Sequence, residues 1–126
     1  MIGVDTNVLV RAYLEDDKEQ AKEAQEFLKN ATKEKSLFIS SYAILEFVWV
    51  LKVKGYSRKE IYKAVVSLTD SYGIIISQRD IILEAITKYT NGRADFGDYM
   101  ILVDGENNKT HKLKTFDKVL QKELKD

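Results

Sequence analysis

Short apolar runs that alternate with longer helical patterns are the feature that most constrains the fold of this sequence. Four runs have the residue types of strands: Ile2–Val4, Ser36–Ser40, Gly73–Ser77 and His111–Thr115. The first three are nearly all apolar, as in strands covered on both faces of a sheet. Because helical segments separate the runs, the strands are predicted to be parallel and joined by helical crossovers. The pattern therefore predicts a three-layer α/β/α fold with a central parallel sheet of about four strands.

Apolar spacing and end signals place the helices between these runs. Lys18–Lys33 carries a narrow apolar stripe on a charged helix, whereas Ser41–Lys54 is more uniformly apolar and is expected to be more buried. Gly55 is typical of a helix end, and Ser57 of an N-cap whose capping box is completed by Glu60. Further helices are predicted over Arg58–Tyr72, Arg79–Tyr89, Asp98–Glu106 and from about Asp117 to the end of the sequence.

Composition narrows the class of protein without naming a function. A chain of 126 residues with 44% hydrophobic and 32% charged residues is predicted to form a single globular domain over residues 1–126. Lys plus Arg and Asp plus Glu number 20 each, so nucleic-acid binding cannot be argued from net charge. With no cysteine, disulfides and thiolate metal sites are excluded.

No segment of the sequence has the pattern of a membrane or secretion signal. The first residues reach an acid at Asp5 without a basic region followed by a long apolar stretch. The longest nearly uncharged run, Ser40–Leu51, is too short to span a bilayer and contains Glu46. We therefore expect a cytoplasmic protein that has no association with membranes.

Four acids are placed near one edge of the predicted sheet. Asp5 directly follows the first strand and Asp117 the last, while Glu46 lies about one turn into the helix after the second strand. Asp98 lies in the first turn of the helix that precedes the fourth strand. In open parallel sheets the ligand site lies beyond the carboxyl ends of the strands. We therefore expect these carboxylates to converge there.

Each acid also has a structural interpretation. Asp5 and Asp117 are well placed to cap helices, a role compatible with facing a ligand. Asp95 can either join the cluster or cap its helix. Glu46 is the one charged residue of Tyr42–Leu51, on a face with apolar residues. Its burial is costly unless it binds a cation or pairs with a lysine or arginine.

The aromatic residues are interpreted more simply. Trp49 and the seven tyrosines are expected to be core and surface residues rather than a base-stacking platform, although a tyrosine near the cleft could stack on RNA. The lone histidine, His111, is expected to be exposed.

Converging carboxylates support a particular chemistry. Their mutual repulsion either raises their pKa values or is relieved by a cation. Oxygen ligands without His or Cys suit Mg²⁺ or Mn²⁺, and one or two ions can be accommodated by such a set. Cations held in this way activate water for attack on phosphodiesters.

Four segments together resemble the motifs of the PIN-domain family. Ile2–Val10 contains an apolar strand that ends in Asp-Thr-Asn, and Ile39–Leu51 contains a Glu after a strand and a serine-rich helix start. Ala94–Ile101 resembles the third motif, and Leu113–Asp117 resembles the fourth, a Thr and an Asp separated by one residue. The resemblance covers essentially the whole chain and is closest to the VapC-type toxins of toxin–antitoxin pairs.

This resemblance implies a Mg²⁺- or Mn²⁺-dependent endoribonuclease that forms a homodimer, cleaves RNA and is inhibited by a VapB-like antitoxin. Carried over by position, the metal-binding acids would be Asp5, Glu46, Asp98 and Asp117, with Asp95 as an auxiliary ligand. Polar residues that orient them would be Thr6, Asn7 and Thr115.

Three alternatives remain open from the sequence. The chain could be a housekeeping RNA-processing nuclease, a PIN domain that only binds RNA or proteins, or a phosphotransfer domain that is phosphorylated on Asp5. One departure concerns the fourth strand, which is more polar than a central strand should be and is expected at an edge.

Overall fold

The computed structural model describes residues 1–34, 36–110 and 112–124. Within these ranges the chain forms three strands, β1 (Ile2–Val4), β2 (Leu37–Ile39) and β3 (Ile74–Ile76). It also forms seven helices: α1 (Thr6–Leu14), α2 (Lys18–Glu34), α3 (Ser41–Val53), α4 (Arg58–Asp70), α5 (Arg79–Asn91), α6 (Phe96–Asn107) and α7 (Lys118–Glu123).

The strands form a parallel sheet with β2 in the centre. Val4 is paired with Ile39, and Ile39 with Ile76, so the three strands end side by side. The segments that follow the strands therefore leave the sheet from one edge. Helices flank the sheet, which confirms the predicted α/β/α architecture.

The predicted fourth strand is wrong over the part that the structure describes. Residues 112–115 have no strand structure, and His111 lies outside the described residues. Only Leu113 of this segment packs against the core. The carbonyl of Thr115 accepts a hydrogen bond of 2.7 Å from the side-chain amide of Gln121. The segment is too polar to be covered on both faces, so the sheet has three strands in the described ranges.

Helix α1 was not predicted from the apolar spacing. Asp5 is its N-cap, and the Asp5 carboxylate accepts a hydrogen bond of 3.3 Å from the backbone N–H of Val8. The helix buries Leu9 and packs against α2 and α3. Its apolar residues continue from Val8 to Leu14, and the cap and the contacts with α2 and α3 hold the helix in place.

The other helix ends follow the predicted signals. Ser40 caps α3 by accepting from Tyr42, and the predicted capping box of Ser57 and Glu60 begins α4. Gly55, between α3 and α4, has a φ of 92°, a left-handed conformation that glycine adopts without strain. The local sequence therefore sets where α4 begins.

One apolar core joins the sheet to helices α3 to α6. Its largest fully buried side chains are Tyr89, Tyr99, Phe47, Leu37, Ile39, Ile44, Leu51, Ile61, Ile82 and Ile86. Helix α3 packs against α1, α4 and α6, and α6 packs against α5. Within the described residues, no helix is both long and apolar enough to cross a membrane.

Candidate functional site

Helices α3 and α6 form the walls of a cleft of about 690 Å³. Five charged residues line it: Glu46 and Lys52 from α3, Asp98 and Asp104 from α6, and Asp95 at the start of α6. The cleft also contains Ser41 and Gln78, which follow β2 and β3. The cleft thus combines acidic with apolar side chains and begins at the carboxyl edge of the sheet.

Asp98 is an acid of the cleft whose pKa is raised by its surroundings. Its side chain is half-buried in the first turn of α6. Burial raises the pKa of Asp98, and the negative charges of Asp117 and Asp95 raise it further, while a hydrogen bond from the backbone of Asp95 and the charge of Lys52 oppose the change. The fold therefore brings Asp98, Asp117 and Asp95 within electrostatic range of one another, although 19 positions separate the first two.

The side chain of Asp95 does not cap α6 but forms an ion pair. It occupies the N-cap position, but its carboxylate makes no capping hydrogen bond. That carboxylate forms an ion pair with the ammonium of Lys52 from α3. Both side chains are about half exposed, so the pair contributes little to stability. Its consequence is geometric, because it joins α3 to the start of α6.

The apolar face around Glu46 is not buried as the sequence suggested. Glu46, Trp49 and Val53 are exposed, and the first two line the cleft rather than the core. The argument from costly burial is therefore wrong for Glu46. Instead, Oε2 of Glu46 accepts a hydrogen bond of 3.2 Å from the hydroxyl of Thr6, the residue that follows Asp5.

Asp5 and Asn7 lie on a different surface from the main cleft. With residues of α2 they line a smaller cavity of about 390 Å³. Asp5 caps α1, as the structural interpretation predicted. Its connection to the cleft runs through the neighbouring Thr6, which contacts Glu46.

Asp117 caps the last helix in the same manner. Its carboxylate accepts a hydrogen bond of 2.9 Å from the N–H of Leu120, at the start of α7. Its own N–H donates a hydrogen bond of 3.1 Å to the hydroxyl of Thr115. Thr115 thus sets the backbone that carries the Asp117 carboxylate.

The donor set is suited by its chemistry to a hard divalent cation. All the candidate ligands are carboxylates, and oxygen donors of this kind prefer Mg²⁺ or Mn²⁺. The repulsion that raises the pKa of Asp98 is the kind of energy that a bound cation relieves. Within residues 1–34, 36–110 and 112–124, no three acids are close enough together to form a ligand group as they stand.

A hydrogen-bonded network that sequence patterns missed holds the start of α6. The guanidinium of Arg58 donates to the carbonyls of Tyr89, Arg93 and Ala94 at 2.8–2.9 Å and stacks on the ring of Tyr89. These hydrogen bonds attach the segment between α5 and α6 to α4. Asp95 follows this segment directly, so Arg58 positions the helix start that carries two candidate acids.

Glu123 joins α7 to the same segment. Its carboxylate accepts a hydrogen bond of 2.9 Å from the N–H of Arg93 and another from the hydroxyl of Tyr99. The Tyr99 oxygen lies 3.3 Å from the N–H of Ala94, which donates to it. Because α7 begins at Asp117 and α6 carries Asp98, this network holds the two acids near each other.

The fold and the acids at its cleft define an α/β/α domain with a candidate carboxylate site. The PIN domain family matches residues 2–124, so the chain belongs to that family. PIN domains are generally Mg²⁺-dependent nucleases, and membership implies that RNA is bound as a substrate. No curated protein and no solved structure gives a significant match to the chain.

Proposed function

We propose that this protein is an endoribonuclease whose divalent cation is held by Asp5, Glu46, Asp98 and Asp117, with Asp95 as an auxiliary ligand. The observation that carries the proposal is the raised pKa of Asp98, caused by burial and then by the charges of Asp117 and Asp95. A protein gains nothing in stability from such repulsion, and acids in a cleft whose pKa is shifted by burial and by neighbouring charges are candidates for functional residues. Family membership supports the same conclusion.

A bound Mg²⁺ or Mn²⁺ supplies an activated water and stabilises negative charge on the attacked phosphate. The hydroxyl of Thr6 orients Glu46, and the hydroxyl of Thr115 holds the backbone of Asp117. Asn7, beside Asp5 on α1, is the third polar residue that we assign to positioning.

We also propose that the chain is a VapC-type toxin that forms a homodimer and is inhibited by a VapB-like antitoxin. The support is the order and spacing of the four sequence motifs. The observation that tests it is the neighbouring gene. A short upstream reading frame that encodes a DNA-binding antitoxin would support the toxin, whereas its absence would favour housekeeping RNA processing.

The nuclease activity is tested with the variant Asp5→Asn. Asparagine caps helices about as well as aspartate, so α1 should remain folded while a charged ligand is lost. Wild-type protein should cleave RNA with Mg²⁺ or Mn²⁺ but not with EDTA, and the variant should lose cleavage. Persistent cleavage by the variant, independent of metal, would overturn the proposal.

The matched control is Asp17→Asn. The Asp17 carboxylate also accepts hydrogen bonds at the start of a helix, from Glu19 and Gln20 of α2. It does not line the cleft. The same chemical change at this position should leave cleavage unaltered.

One observation favours a second candidate, a PIN domain that binds RNA or proteins without cleaving RNA. In the described ranges no three acids form a ready ligand group. Calorimetric titration with Mn²⁺ separates the two functions. Binding of Mn²⁺ that is lost in Asp98→Asn supports the nuclease, while undetectable binding by the wild-type protein supports the second candidate.

A further inference from the structure

Four residues of α3 form a row along the wall of the cleft. Tyr42, Glu46, Trp49 and Lys52 follow one another at intervals of four, three and three positions, which places them on one side of the helix. Tyr42 is 77% exposed and Trp49 is 64% exposed. We call these four residues the α3 row. The row presents an aromatic ring, an acid, a second ring and a cation in that order.

The rings of the α3 row lie on both sides of a candidate metal ligand. Tyr42 is one turn before Glu46 and Trp49 is one turn after it, so the two residues are roughly 10 Å apart along the helix axis. Surfaces that bind single-stranded nucleic acid combine such rings, on which bases stack, with cations that contact phosphates. Lys52 supplies the cation, and its ammonium has three N–H donors, of which Asp95 needs one.

We propose that the α3 row binds single-stranded RNA, with the bases on either side of the cleaved phosphate stacked on Tyr42 and Trp49. The inference rests on the proposed function, because it takes Glu46 to lie at the reacting phosphate. Lys52 contacts a neighbouring phosphate. Bases in a duplex are stacked on each other and offer no free faces, so the site selects unpaired strands.

The composition of the cleft distinguishes RNA from a second copy of the chain as the occupant. The buried cores of protein interfaces are depleted of charged residues. The α3 row alternates its rings with Glu46 and Lys52, and the opposite wall carries Asp98 and Asp104, between which apolar side chains such as Leu45, Val48 and Ile101 also line the cleft. A second protein that covered this surface would bury those charges. A nucleotide would instead stack on the rings, with Lys52 in contact with a phosphate and the carboxylates in contact with a cation.

Trp49 makes the inference directly measurable, because it is the only tryptophan of the chain. The test uses Asp98→Asn protein, in which cleavage is expected to stop, and a single-stranded oligoadenylate with Mg²⁺. Stacking should change the Trp49 fluorescence saturably as RNA is added. A strand of the same length with abasic sites keeps the phosphates but cannot stack, so it should leave the fluorescence unchanged, as should a duplex.

Variants of the ring add a second measurement in the protein with Asp98 intact. Trp49→Ala should raise the KM for single-stranded RNA about 10-fold, with a smaller change in kcat, and Trp49→Phe should retain most of the affinity. The control is Tyr72→Ala, because Tyr72 is 93% exposed and does not line the cleft. This control should behave as wild type.

The outcomes separate this inference from the proposed function. If wild-type protein cleaves RNA but RNA leaves Trp49 fluorescence and the KM of Trp49→Ala unchanged, the inference is overturned and the nuclease stands. If fluorescence responds to unpaired RNA but no cleavage occurs, the inference holds and the nuclease fails. If Trp49→Ala only turns a dimer into a monomer in sedimentation, the surface is an interface between copies and the inference is wrong.

Discussion

The hydroxyl of Thr6 lies 3.2 Å from Oε2 of Glu46 and donates a hydrogen bond to it, across 40 positions of sequence. Thr6 is the first residue of α1 and Glu46 lies in the middle of α3. The bond therefore joins the residue beside Asp5 to the wall of the cleft. A carboxylate held by a fixed donor is oriented before any ligand arrives, which is how outer residues adjust a metal site.

Thr6→Val should remove this donor with little change in side-chain volume. We expect the kcat/KM for RNA cleavage to fall about 10-fold, because Glu46 loses its fixed orientation. Thr6→Ser keeps the hydroxyl and should retain most of the activity. Equal losses in the valine and serine variants would show that the methyl group, and not the hydrogen bond, is what matters.

Asp98→Asn should stabilise the protein while it abolishes cleavage. In the metal-free protein at neutral pH, the substitution removes a charge that burial and the neighbouring Asp117 and Asp95 disfavour. Thermal unfolding in EDTA should show a higher Tm than wild type. Asp104→Asn, on the same helix and cleft, is the control and should give no such rise; a lower Tm for Asp98→Asn would contradict the electrostatic argument.

Glu123→Gln should destabilise the protein in a manner that depends on pH. The hydrogen bonds from Arg93 and Tyr99 hold the pKa of Glu123 below its ordinary value. The folded state therefore binds fewer protons at this group than the unfolded state does. The stabilisation is full above the ordinary pKa of glutamate and is lost as the pH falls through the lower, folded value.

The measurement for Glu123→Gln is the difference in Tm from wild type as a function of pH. The variant should unfold at a lower temperature near about pH 7, and the difference should shrink as the pH falls through the lowered, folded pKa of Glu123, where the wild-type carboxyl is protonated in both the folded and the unfolded state. Glu26→Gln, at an exposed glutamate of α2, is the matched control. A difference that is constant over this range would mean that the charge of Glu123 is not involved.

Gly92→Ala should loosen the junction of α5, α6 and α7. A Cβ atom at Gly92 would lie 1.8 Å from the hydroxyl oxygen of Tyr99 and 2.9 Å from Oε1 of Glu123, so both side chains must move. We expect a loss of about 1–3 kcal/mol in the free energy of unfolding, as for other overpacked sites. Cleavage should fall as well, because the same network holds Asp98 near Asp117.

The matched control for this substitution is Gly97→Ala. A Cβ atom there meets only Leu45, at an ordinary contact distance of 3.6 Å, and alanine is the better helix former. Denaturant unfolding should show unchanged or slightly increased stability for Gly97→Ala. If both variants lose stability to the same extent, close packing at Gly92 is not the cause.

Local patterns predicted most of the fold but failed where a segment is short or polar. The capping box at Ser57 and the three apolar strands were confirmed because their signals lie within a few residues. Helix α1 was not predicted, since its formation depends on contacts with α2 and α3. The strand predicted at residues 111–115 was wrong over its described part, because alternating lysines signal a strand even where no sheet accepts them.

The candidate site, too, could be predicted only in part from the sequence. The sequence by itself determined which carboxylates and hydroxyls are present, their order along the chain and the family to which that order belongs. Spacing along one helix is set by its 3.6-residue period, so the neighbours of Glu46 could be counted in advance. Whether that face is buried could not be predicted, because burial depends on which elements pack against the face. In this fold the face lines a cleft.

Only the tertiary structure decided which acids are neighbours. It placed Asp98 within electrostatic range of Asp117, paired Asp95 with Lys52 and joined Thr6 to Glu46. Each of these contacts links different helices, and their geometry follows from how α1, α3, α6 and α7 pack rather than from any local propensity. The physical reason is that Coulomb and hydrogen-bond energies depend on distances in space, which a linear pattern does not contain.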